Sequence, residues 1–168
     1  VGPVAAYVSM EYFGIEGYQQ LIYNLFHSSE IIRNLMLDKN DFILLNPCAY
    51  GLSTLFLVNN RNIKTTISDI LSFNNEEIDE LIEYNRRFLH YIKNYSDSLR
   101  FSLTYSKSFK LGTTDIKLGA LKMFQMSPIV SNEKWSGLID ELQKAKKFFD
   151  LNDNGINKNY KTSKDLTY

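Results

Sequence analysis

The residues of this chain whose types could carry chemistry are two histidines, one cysteine and an aspartate/asparagine run. The stretch DLNDNG matches the first half of a calcium loop, with Asp150, Asn152 and Asn154 at alternate positions and Gly155 at the sharp turn. Such a loop needs a bidentate carboxylate at its twelfth position, and Lys161 stands there. A cation in place of the last ligand removes the site, so DLNDNG reads as a polar turn that ends a helix. His27 and His90 fall on different expected helices, with no carboxylate or thiol at ligand spacing. They read as surface or boundary residues, and no metal site is expected. Cys48 follows Pro47 in a turn between two apolar runs. No cation or helix N-terminus is evident to activate it, so an inert, buried thiol is expected. GIEG, residues 14–17, lacks the preceding strand and the third glycine of a phosphate loop. Lys107, Lys110, Lys117 and Lys122 line an expected hairpin as an edge-protecting set. The residues alone therefore contain no nucleophile with its base, no metal cluster and no phosphate cradle: no catalytic residue is assigned.

The elements that must position these residues belong to one domain with an appendage. A chain of 168 residues buries roughly 70% of its unfolded surface, enough for a core without staples. One cysteine excludes an internal disulfide framework and points to a reducing, cytoplasmic setting. Basic and acidic residues balance at 19 each, which argues against a nucleic-acid partner or an anionic membrane surface. The apolar opening has no basic n-region and carries Glu11 and Glu16, unlike a signal peptide. No apolar run approaches the roughly 20 residues that span a bilayer.

Pro3 suits the first turn of a helix over PVAAYVSMEYF, which Gly14 breaks or kinks. A second helix is expected over residues 16–37, with Tyr18, Leu21, Ile22, Leu25, Ile32 and Leu35 on its apolar stripe. FILLN and LSTLFLV read as strands joined by the PCAYG turn. Asn74 and Glu77 resemble a capping pair that opens a third helix, whose apolar face is Ile78, Leu81, Ile82, Leu89 and Ile92. Two strands then flank an LGTTD turn. Ser131 or Asn132 caps a last helix with Trp135, Leu138, Ile139, Leu142 and Phe149 on its stripe. The expected class is α+β: two N-terminal helices, then a ββαββα two-layer sandwich with its helices on one face. Residues 1–37 read as connecting helices, 38–149 as the sandwich and 150–168 as a polar, poorly ordered tail.

The stretch GPVAAYVSMEYFGIEGYQQLIYNLFHSSEIIRNLM is similar to part of the group II pyridoxal-phosphate-dependent amino-acid decarboxylases. Gly2, Pro3, Met10, Gly14, Gly17 and Tyr18 fit that family's turn-and-helix pattern. LLNPCAYGLSTLFLVNN resembles the start of the family's C-terminal domain, and ALKMFQMSPIVSNEKWSGLIDELQ its closing strand and helix. The resemblance covers residues 1–149 and rests on packing residues rather than on chemistry.

It implies the small domain of a fold-type I enzyme, with Val1 in the interior of a longer polypeptide. The lysine that holds the cofactor, the stacking histidine and the aspartate at the pyridine nitrogen would all precede Val1. The chain alone is then expected to be inactive, with no pyridoxal phosphate covalently bound. Its expected roles are to pack against a missing large domain and to contribute to a homodimer. Gly2 is the one residue assigned to the cofactor, as the remnant of a turn near its phosphate; the plainer reading is that Gly2 and Pro3 start a helix. Aromatic amino acids, glutamate and diaminobutyrate remain open as substrates. The alternative is a free-standing α+β interaction or dimerisation module without catalysis.

Overall fold

A computed structural model describes residues 2–48, 51–61, 63–95, 103–124 and 132–156. It is an α+β fold with a helix-rich N-terminal part and an antiparallel sheet. The elements are α1 (Gly2–Leu37), β1 (Phe42–Leu44), β2 (Ser53–Val58), α2 (Ile67–Ile70), α3 (Asn75–Tyr95), β3 (Leu103–Lys110), β4 (Lys117–Phe124) and α4 (Asn132–Ile156).

The two helices expected before residue 38 are both present within α1 and meet at Gly14, whose backbone is not helical (φ 64°, ψ −179°). That backbone conformation is essentially reserved for glycine, so Gly14 sets the bend. Only the last third of α1 is buried, through Ile32 and Met36.

The sheet order is β1-β2-β4-β3, and every pair is antiparallel. The β1–β2 register aligns Phe42 with Val58 and Leu44 with Phe56. Alternate residues enter two different cores. Phe42, Leu44, Phe56, Val58, Leu121 and Met123 pack with α1, α3 and α4. Ile43, Leu45, Leu57, Leu118 and Ala120 pack with Ile70 of α2 and Leu81 of α3. Burial on both faces explains why FILL and LFLV are continuous apolar runs rather than alternating ones. It also departs from the expected two-layer arrangement. The one-turn helix α2, held by a capping box between Thr66 and Asp69, covers the second face with the first turns of α3.

At α3 the expected capping pair is present. The Glu77 N–H donates to Asn74 Oδ1 and the Asn74 N–H donates to Glu77 Oε2, each at 2.9 Å. The LGTTD turn closes β3 onto β4 through Gly112 (φ 58°) and a bond from the Leu111 N–H to the Ile116 carbonyl at 3.0 Å. Tyr105 of β3 lies across Gly119 of β4. A Cβ on Gly119 would stand 1.5 Å from the tyrosine hydroxyl, so only glycine leaves room for the ring.

Three asparagines hold β2 where strands do not. Asn46 Nδ2 donates to the Ser53 carbonyl and its Oδ1 accepts from the Leu55 N–H, both at 2.8 Å. β4 pairs with β2 only over residues 53–56, and Val58 lies beyond that stretch. There Asn85 of α3, fully buried, takes the place of a strand. Its Oδ1 accepts from the Val58 N–H at 2.7 Å and its Nδ2 donates to the Val58 carbonyl at 3.0 Å. Buried backbone polar groups need such partners. Asn59 ties the following turn, donating to the carbonyls of Asn40 (2.9 Å) and Ile63 (2.7 Å).

The last helix carries its expected stripe: Trp135, Leu138, Ile139, Leu142 and Phe149 are all buried. It does not stop at Phe149. Residues 150–156 are helical, so the start of the expected tail belongs to α4; residues 157–168 lie outside the described residues. The side chains that extend it are Asp150 and Asp153, each bonded back to α3.

Candidate functional site

The densest set of titratable side chains joins three elements distant in sequence. Lys146 of α4 is buried, with Nζ 2.7 Å from Asp150 Oδ2 and 3.7 Å from Asp41 Oδ1. Tyr84 of α3 donates its hydroxyl to Asp150 Oδ1 at 2.5 Å, and Gln143 Nε2 donates to Asp41 Oδ2. One turn further on, Arg87 Nη2 donates to Asp153 Oδ2 at 2.9 Å. Burial first, then the bond to Asp150 and its charge, push the Tyr84 hydroxyl far above the ordinary tyrosine range. Tyr84 is therefore a fixed donor and not an acid. Lys146 Nζ is occupied by two carboxylates and shut off from solvent, which gives a carbonyl compound no path to it. The cluster is a closed latch that fastens α4 to α3 and to the approach of β1.

A second buried charge sits at the end of α1. Arg33 Nη1 donates to Ser29 Oγ (2.7 Å) and to the Gly51 carbonyl (3.2 Å), while Ser29 Oγ donates to the same carbonyl (2.9 Å). Burial lowers the Arg33 pKa from its ordinary value, opposed by the nearby Glu30 and Cys48. The arrangement rivets the β1–β2 connection to α1.

Most residues singled out in the sequence are kept apart. Gly2 is the first residue of α1, and what surrounds it lies outside the described residues. His27 is exposed, stacked on Tyr23, with Nδ1 3.9 Å from Glu30. His90 is exposed beside Asn94, at 2.7 Å. Cys48 is exposed, which corrects the expected buried thiol: Pro47 and Cys48 follow the last backbone bond of the β1–β2 pair, at Leu45, and both stand in solvent. DLNDNG forms helix rather than a loop, and its aspartates face α3. No group of three or more histidines, cysteines or carboxylates able to hold a metal occurs among the described residues. Lys110 lies 3.6 Å from Asp115 and directly opposite Lys117 in the hairpin register; the Lys107 side chain lies outside the described residues. No described helix is long and apolar enough to cross a membrane.

The feature that stands open is the front of α1. Tyr7, Val8, Met10, Tyr12, Phe13, Ile15, Ile22, Tyr23 and Phe26 are all 40% or more exposed, and Tyr12 reaches 82%. So many exposed apolar side chains on one stretch of α1 set it apart from the other described helices. No family model, curated protein or solved structure matches the chain.

The latch was not legible in the sequence. Tyr84 and Asp150 are 66 residues apart, and Asp41 and Gln143 are 102 apart. Its only local signal is the four-residue spacing of Lys146 and Asp150 on one helix.

Proposed function

We propose that this chain is the C-terminal portion of a pyridoxal-phosphate-dependent L-amino-acid decarboxylase. It supplies packing against a large domain and dimer contacts, but not the lysine that carries the cofactor. The observation that carries the reading is the front of α1, where the pattern residues Met10, Gly14, Gly17 and Tyr18 stand among uncovered apolar side chains on a helix bent at Gly14. A helix of that kind is made to be enclosed by another body. The order of two strands, helices, two strands and a helix from Phe42 to Ile156 supports assignment as the small domain of a fold-type I enzyme; the single cysteine supports a cytoplasmic setting for it.

When bound, the cofactor acts as the electron sink that makes loss of carbon dioxide from an amino acid possible. The described residues do not form a seat for it. Lys146, the buried lysine among the described residues, is enclosed by the carboxylates of Asp41 and Asp150. No catalytic step is therefore assigned to this chain; its residues hold the body together and present α1.

The test is to sequence the native coding DNA upstream of the Val1 codon and to assay the encoded protein. An open frame with a His-Lys pair ahead of a glycine-rich turn, and release of carbon dioxide from an aromatic amino acid, glutamate or diaminobutyrate, is the expected result. A stop codon and a start immediately upstream overturn it. A free-standing dimerisation module is then favoured by the same exposed helix and by the closed polar latch.

A further inference from the structure

We draw no further inference here: the strongest candidate, the exposed apolar front of α1 from Tyr7 to Phe26, belongs to the face that the proposed function already gives to the large domain and the dimer partner, and nothing in the structure shows what else covers it.

Discussion

The front of α1 and the body that follows it handle opposite mismatches. In the body, polar and charged groups are buried and nearly all of them are matched: Asn85 by backbone, Lys146 by two carboxylates, Arg33 by a hydroxyl and a carbonyl. In α1, apolar side chains are exposed and unmatched. A buried polar group without a partner costs free energy at once, so the fold must resolve it internally. An exposed apolar group imposes its cost on solubility and is resolved by association. The comparison separates what this chain does for its own stability from what it offers to another body.

The sharpest way to break the body is at Asn85. Asn85→Ala strips the partner from the buried Val58 N–H and from the Val58 carbonyl, while the Leu81 carbonyl keeps its helical bond. A loss of about 3 kcal/mol in urea unfolding is expected, since each buried orphan costs roughly 1–3 kcal/mol. A loss below about 1 kcal/mol would mean that water or β4 replaces the carboxamide at Val58.

Gly119 tests the same body by volume. Gly119→Val forces the Tyr105 ring off the sheet, with an expected loss of about 2 kcal/mol, in the usual range for overpacking. Adding Tyr105→Ser to Gly119→Val should recover part of that loss. A double variant no more stable than the single one would show that strand geometry, not the ring, imposes glycine here.

Tyr84 gives the comparison a pH axis. Its folded pKa is raised above the ordinary tyrosine value by burial and by Asp150. The stabilisation from Tyr84 is therefore fully present below about pH 10, where the unfolded hydroxyl begins to ionise. Above that pH the unfolded state loses a proton that the folded state keeps, so stability falls by up to about 1.4 kcal/mol per pH unit. Tyr105, also raised mainly by burial, adds to the same fall. Tyr84→Phe should cost about 1.5 kcal/mol at neutral pH, as expected for a bond to a charged acceptor. It should also flatten the alkaline slope between roughly pH 10 and 11. An unchanged slope would separate Tyr84 from the alkaline loss.

What was legible in the sequence follows the range over which each signal acts. The Asn74–Glu77 cap, the LGTTD turn and the α4 stripe are local, and the residues that specify them lie within a few positions of each other. The bend at Gly14 was legible because one residue type sets it. The covering of the second sheet face was not: α2 is a single turn inside a stretch of weak pattern, and its role depends on Ile70 meeting Leu57 and Leu118 across the sheet. Asn85 appears in the sequence as a polar residue on a helix, and its service to Val58 depends on β4 parting from β2. Cys48 was misjudged because its neighbours in sequence are apolar while it stands past the end of the β1–β2 pairing, in solvent.

The smallest expected effect falls where the exposed surface is largest. Tyr12→Ala and Ile15→Ala remove side chains that are 82% and 74% exposed. In the isolated chain, at concentrations where it is monomeric, each should change unfolding stability by no more than about 0.5 kcal/mol, as for surface positions without partners. The same substitutions should weaken association by far more than they alter the monomer. A monomer that loses more than about 1 kcal/mol on either change would show that the chain covers α1 itself. The front of α1 would then belong with the body, as a contact already made rather than one on offer.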